Sequence, residues 1–323
     1  MNSTSKIMTM EEAIHQYVRN GNCVTLGGFV TNRKPYAAVR EIIRQGVKNL
    51  YIEGGPAGGD VDMLIGAGCV KTLLNSYFAN SGFTEVCRRS RQAIESGAIL
   101  WEDYSLDVQA LMYHAAALGL PYIPVKNMLG SSMIDKWGIS TDIRKNDSKL
   151  ASSKLMVSPN PFNPDERVCL LPTPKIDTAI IHVQKACADG TCRIEGNVFM
   201  DIDIAMGATN CIVTCEELVS HDELRREPWR SQLPNLVPDA VVHVPNGAHP
   251  SQCAGYYDYD AEFLRMYDEV SRNEETFKNY LHQWVYETKD NDGYMAKLGA
   301  VRLANLRVKP GYGYVPELTK EEG

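Results

Sequence analysis

Short apolar runs that end in glycine and pass into amphipathic helical segments recur from Cys23 to Val125, and this alternation restricts the chain to one broad architecture. Cys23 to Leu26 ends at Gly27-Gly28, and Pro35 then opens a helix whose Val39, Ile42 and Ile43 share a face before Gly46. The unit repeats as strand Asn49 to Ile52, loop Gly54 to Gly59 and a helix from Asp60. It repeats again as strand Val70 to Leu74, loop Asn75 to Phe83 and helix Thr84 to Ser96. Strand Ala98 to Trp101, helix Leu106 to Leu118 and strand Pro121 to Val125 follow. Strands separated by helices pair in parallel through right-handed crossovers, so the fold class is α/β with an open, mostly parallel sheet.

A capping box at Thr9 and Glu12 starts a helix with Met10, Ile14, Tyr17 and Val18 on one face. From Asn127 to Arg167 periodicity is lost and Pro159, Pro161 and Pro164 come in quick succession, predicting a long irregular loop or lid. Strands resume near Ala179 to Val183, Cys211 to Thr214 and Ala240 to Val244. A helix is predicted over Cys215 to Arg226 and a long helical region over Ala261 to Thr288. The chain reads as one domain, 1–323, with the loop at about 127–167 and a helical C-terminal region at about 258–323.

Composition removes several classes of function. The chain has 33 Lys+Arg against 40 Asp+Glu, a net charge of −7, and no basic run, which argues against nucleic acid as a partner. No apolar core follows Lys6 at the N-terminus, so no secretory signal is expected and the chain is read as cytoplasmic. The uncharged stretch Val108 to Val125 contains Gln109, His114, Pro121 and Pro124, a poor membrane span. Nine scattered cysteines suit reduced thiols, and Cys187/Cys192 and Cys211/Cys215 lack nearby histidines, so no metal site is expected.

Open parallel sheets bind ligands at the carboxyl ends of their strands, which directs attention to the loops after Leu26, Glu53 and Leu74. Gly54 to Gly59 has P-loop spacing, but Asp60 stands where a phosphate-binding lysine is required. Gly66-Ala67-Gly68 lacks the third glycine of a dinucleotide fingerprint, since Lys71 occupies that place. Ser81 and Ser132 lack the frame of a nucleophile elbow. His249, before Pro250, and His114 on its apolar helix read as structural rather than as general bases. Glu53 reads as a solvated strand-end charge, with an exposed nucleophile as the alternative. Gly27-Gly28-Phe29 offers bare backbone N–H groups or simply a tight turn. Arg33 and Lys34 offer positive charge or are merely solvated. Asn80 and Ser81 offer amide and hydroxyl donors or form a polar turn.

The segment VTLGGFVTNRKPYAAV resembles the first-subunit signature of family I CoA-transferases, in which a strand leads into Gly-Gly-Phe and a proline opens the next helix. It departs from that pattern at Asn20-Gly21, where Asp-Gly is frequent, and at Val30, where Gly is frequent. The segments MLIGAGCVKTLLNSYFANSG, WEDYSLDVQALMYHAAALGLPYIPV, KWGIS, ADGTCRIEG, VTCEEL, GAHPSQCAGYYDYD and KLGAVRLANL are similar, in order, to the A (alpha) chain of a two-chain, dicarboxylate-specific member of that family. The resemblance implies the CoA-transferase / sugar-phosphate isomerase-like fold, an open sheet with helices on both faces. It implies transfer of CoA from acetyl-CoA to a C5 dicarboxylate such as (E)-glutaconate or 2-hydroxyglutarate, in anaerobic glutamate fermentation. It implies a hetero-oligomer in which the companion B (beta) chain supplies the nucleophilic glutamate, forming an acyl-glutamyl anhydride and then a glutamyl-CoA thioester. CoA is then a cosubstrate, and no metal or organic cofactor is expected.

On this reading no residue of the chain is the nucleophile. The backbone amides of Gly27, Gly28 and Phe29, with Asn80 and Ser81, are expected to bind the acid's carboxylate or acyl oxygen, with Arg33 and Lys34 as weaker candidates. The competing readings are a two-chain hydrolase opening a CoA-linked ring on the same fold, and a non-catalytic ligand-binding module.

Overall fold

A computed structural model describes residues 5–84, 86–313 and 315. The main sheet is built from β1 (Cys23–Leu26), β2 (Leu50–Ala57), β3 (Val70–Phe78) and β4 (Leu100–Asp103), joined by β8 (Ile176–Ala186), β10 (Ala208–Leu218) and β11 (Ala240–His243). Its order is β11-β10-β8-β1-β2-β3-β4, with every neighbouring pair parallel. A two-residue β9 (Cys192–Arg193) turns back antiparallel on β8. The expected α/β architecture is therefore present.

Successive residues of the central strands point to opposite faces, as the period of two requires. Val24, Ile180 and Ile212 pack with Ile14, Val39, Ile42, Leu64 and Phe263 on one face. Ile181 and Val213 pack with Tyr113 and Ile204 on the other. Both faces are thus covered by helices, and the inner strands read as unbroken apolar runs for that reason. The Thr9–Glu12 capping box forms as expected, starting the helix Met10–Tyr17.

Several expectations require correction. Pro121 to Val125 is not part of the main sheet: β5 (Tyr122–Val125) pairs antiparallel with β7 (Asn163–Pro172), which also pairs with β6 (Met156–Asn160). The expected irregular stretch thus contains this hairpin and a short helix, Thr141–Lys145. Pro159 is tolerated because β6 is an edge strand, Pro161 lies in the turn, and Pro164 stands in the part of β7 beyond its pairing with β5. Gly54 and Gly55 do not form a loop. β2 runs through them to Ala57, and two register irregularities beside β3 absorb the strain there. The helix expected over Cys215 to Arg226 begins as strand, because β10 continues its pairing with β8 as far as Leu218↔Ala186. Only His221–Arg225 is helical, capped by Ser220. The C-terminal region is helical in separate pieces, Ala261–Ser271, Glu274–Leu281, Asn291–Leu298 and Ala300–Leu306, with Asn273 capping the second. Of the expected region, residues 314 and 316–323 lie outside the described residues, as does Glu85 of the expected helix over 84–96. Among the described residues no helix is long and apolar enough to cross a membrane.

Candidate active site

The carboxyl ends of β1, β2 and β3 bring three loops together. Gly27 and Gly28 are required where they stand. A Cβ on Gly27 would lie 2.8 Å from Ile181 and 2.9 Å from Asp201, and one on Gly28 would lie 2.3 Å from the Asn32 carbonyl oxygen. Gly28 also has φ +76°, a conformation that L side chains rarely adopt. The loop's amides are already committed. Gly27 N donates to Ile180 O at 2.8 Å, Phe29 N to Asn32 O at 2.9 Å, and Gly28 N to Asp201 Oδ1 at 2.7 Å. The three N–H groups expected to meet a substrate oxygen are each engaged within the chain in this structure, where they shape the loop.

Arg33 and Lys34 are not surface cations. Arg33 is buried, paired with Asp201 and donating to the carbonyls of His182 and Asn197. Lys34 is wholly buried against Asp60, with Nζ 2.9 Å from Oδ2. A buried charge must be paired, and here pairing commits both cations to holding the loop. Asp201 is the hub of this arrangement, binding Gly28 N and Arg33 together from the helix Asp201–Gly207. Sequence reasoning missed it because no local signal joins it to Gly28, 173 positions earlier.

Asn80 is buried and its Oδ1 accepts from Gly59 N at 2.8 Å, tying the β3 loop to the end of β2. Ser81 is exposed, with its Oγ 2.6 Å from the hydroxyl of the half-exposed Tyr77. Asn32 donates to Phe29 O and accepts from Tyr259 OH at 2.9 Å, while Tyr259 packs on Phe83. The structure therefore brings the Gly27–Phe29 loop and the Asn80–Ser81 loop into one neighbourhood.

Beside the glycine loop lies a cavity of about 90 Å³ lined by Asn32, Arg33, Glu195, Phe199 and Gln252. Phe29 stacks on Phe199 with ring centroids 5.1 Å apart. Three non-glycine residues here have positive φ: Val30 at 53°, Arg33 at 52° and Phe199 at 54°. For β-branched Val30 this is a true outlier, and such strain concentrates where a surrounding structure holds a site in shape. Farther along the same sheet end, a cavity of about 910 Å³ includes Lys185, Glu216, Tyr256, Tyr257 and Arg307 in its wall. Glu216 is buried, 2.7 Å from His182 Nε2, and accepts from Tyr257 OH at 2.6 Å and Asn246 N at 2.7 Å.

Glu53 is neither solvated nor at a strand end. It sits within β2, buried, accepting from Gln109 Nε2 at 3.3 Å, and desolvation pushes its carboxyl up to about 7. It lines a separate cavity of about 80 Å³ with Tyr51, Tyr104 and Arg144. His249 is buried between Tyr294 OH and Asp260, each at 2.9 Å, and burial lowers its basicity, in keeping with a structural part.

A strand-end glycine loop locked by a buried ion pair, on a parallel sheet covered on both faces, is the setting in which comparison with known proteins becomes informative. The chain belongs to the coenzyme A transferase family, whose model matches residues 7–244. It is 53% identical to the A chain of glutaconate CoA-transferase from Acidaminococcus fermentans, over 98% of this chain and 99% of the relative. It is 34% identical to the A chain of 3-oxoadipate CoA-transferase from Pseudomonas knackmussii, over 91% of this chain and 98% of the relative. The crystal structure of glutaconate coenzyme A-transferase from Acidaminococcus fermentans superposes with a TM-score of 0.95, covering 98% of this chain and 100% of that one.

Proposed function

We propose that this chain is the A (alpha) component of a glutaconate CoA-transferase, moving CoA from acetyl-CoA to a C5 dicarboxylate such as (E)-glutaconate or 2-hydroxyglutarate in anaerobic glutamate fermentation. The end-to-end identity of 53% to a relative bearing that name carries the reading. A companion B (beta) chain supplies the nucleophilic glutamate. The burial of Glu53 supports this division, since attack on a thioester needs an accessible, ionised carboxylate.

In this reading the chain forms one wall of a shared cleft. The Arg33–Asp201 pair and the glycine loop fix the wall's shape. The Ser81 hydroxyl, polarised by its neighbour Tyr77, takes the donor role expected of the Gly27, Gly28 and Phe29 amides, while Asn80 holds the Ser81 loop in place. Uncharged donors suit a site that must release a dianion after each turnover. The partner's glutamate carboxylate bonds to the acetyl-CoA carbonyl carbon and expels the CoA thiolate. The thiolate returns to the glutamyl carbon, releasing acetate; the acceptor carboxylate then attacks the glutamyl thioester carbon and expels the CoA thiolate, and the thiolate attacks the acceptor's acyl carbon in this second anhydride, giving the new CoA thioester and freeing the glutamate carboxylate. No further cofactor enters these steps.

The decisive experiment uses this chain co-purified with its companion. Borohydride should inactivate the pair only after acyl-CoA is added, by reducing the enzyme thioester. Insensitivity during turnover, or full activity of this chain alone, refutes the reading. Release of free acid with no new thioester identifies a hydrolase instead.

A further inference from the structure

The turn joining β8 to β9 is tight. Cys187 N donates to Thr191 O at 2.8 Å, Gly190 N to Cys187 O at 3.0 Å, and Asp189 Oδ1 accepts from Thr191 N at 2.9 Å. Tertiary folding brings a residue from elsewhere to this turn. His221 opens the helix His221–Arg225, and its Nδ1 lies 3.3 Å from Asp189 Oδ2. The Cys187 sulfur, an Asp189 carboxylate oxygen and a His221 ring nitrogen all lie within 4.8 Å of one another.

Two further observations bear on what these donors hold. Asp189 is only 5% exposed, yet its Oδ2 accepts no hydrogen bond, an expensive omission for a buried carboxylate oxygen. Asp189 and His221 also line a cavity of about 350 Å³, with Thr191, Arg225 and Ser231 among its other walls. A ligand atom can therefore approach from that side. Another donor cluster, His182, Glu216 and Cys253, differs: Glu216 is already saturated by His182, Tyr257 and Asn246.

We propose that Cys187, Asp189 and His221 form a zinc-binding site, completed by a water molecule from the adjoining cavity. One thiolate, one imidazole and one carboxylate oxygen match zinc's borderline softness, whereas magnesium and calcium demand oxygen ligands throughout. The buried Asp189 Oδ2, which accepts no hydrogen bond and has only the His221 ring nitrogen nearby at 3.3 Å, gains a bond to the metal. The Cys187 thiol releases its proton to solvent as the sulfur–zinc bond forms. Tetrahedral zinc at bond lengths of about 2.0–2.3 Å needs donors roughly 3.2–3.8 Å apart. The His221 side chain, 41% exposed, has room to supply that contraction. Binding ties the β8–β9 turn to the following helix and stabilises the folded chain by mass action. The sequence alone argued against a metal here because His221 stands 34 positions from Cys187.

The test titrates the metal-free, full-length chain with Zn²⁺ against a chromogenic chelator, for wild type, Cys187→Ser and His221→Ala. One equivalent should bind, and each substitution should weaken binding by about 100-fold or more, beyond what loss of an outer partner costs. Co²⁺ in place of zinc should give a thiolate-to-cobalt charge-transfer band in wild type that is lost in Cys187→Ser. His221→Ala removes a partly exposed side chain, so its unchanged thermal melt in chelator keeps the result interpretable if the cysteine variant misfolds. Wild-type affinity in both variants, or no binding at micromolar zinc, overturns the proposal.

Discussion

Replacing Glu53 by Gln should make the protein more stable at alkaline pH, and the gain should disappear on acidification. Glu53 is 4% exposed, and desolvation moves its carboxyl from the ordinary 4.5 to about 7. Between those values the folded chain holds a proton that the unfolded chain releases. Stability therefore falls as pH rises through that window and is restored below it. At about 1.4 kcal/mol per pH unit, ionising the buried carboxyl costs the folded state about 3 kcal/mol by pH 8. Gln keeps the shape and an acceptor for Gln109 Nε2 but has no charge to bury. Urea unfolding followed by tryptophan fluorescence, on both proteins from pH 5 to pH 8, measures the difference directly. The variant's advantage should grow by about 2–3 kcal/mol across that range. A difference constant to within about 0.5 kcal/mol would show that Glu53 is not held in its neutral form by burial.

Ser81→Ala, in the two-chain enzyme, should raise KM for the acid or lower kcat by about tenfold, the loss of one hydrogen bond; kinetics matching wild type remove Ser81 from the site. Gly28→Ala places a Cβ 2.3 Å from a backbone oxygen at φ +76°, so transfer activity should fall by more than about tenfold as the loop is displaced. Gly21→Ala, with φ +77° and open space around it, is the control: about 1 kcal/mol of stability lost and activity retained. Asp60→Asn strands the buried Lys34 charge and should cost about 3–5 kcal/mol in urea unfolding, whereas joint replacement of Lys34 by Met and Asp60 by Leu should recover most of it. A loss below about 1 kcal/mol for the single variant would mean that Lys34 finds another partner.

Much of the fold is written in local sequence. The alternation of apolar runs and helical faces determines a parallel sheet covered on both sides, because strand and helix periods depend on neighbours only a few residues away. Gly27-Gly28 marks the first strand end for the same reason: Gly28 takes a left-handed φ that residues with a Cβ rarely adopt. The order of motifs along the chain carries the family. What the sequence left open is what pairing decides. Pro159 looks like loop, yet the hairpin forms because it stands on an edge strand of the second sheet, where its missing N–H is tolerated, and Pro161 falls in the turn. Cys215 to Leu218 reads as the start of a helix, yet it is strand because β8 offers it partners. The site follows the same division. Which residues cluster at the strand ends was legible, but not which of their groups are already engaged. The Gly28 amide and the Arg33 guanidinium are claimed by Asp201, Lys34 by Asp60, and Glu53 is desolvated by burial beside a cavity it lines with Tyr51 and Tyr104. Hydrogen bonding, ion pairing and desolvation act through space at a few ångströms, so residues far apart in the chain determine them, and only the folded molecule brings those residues together.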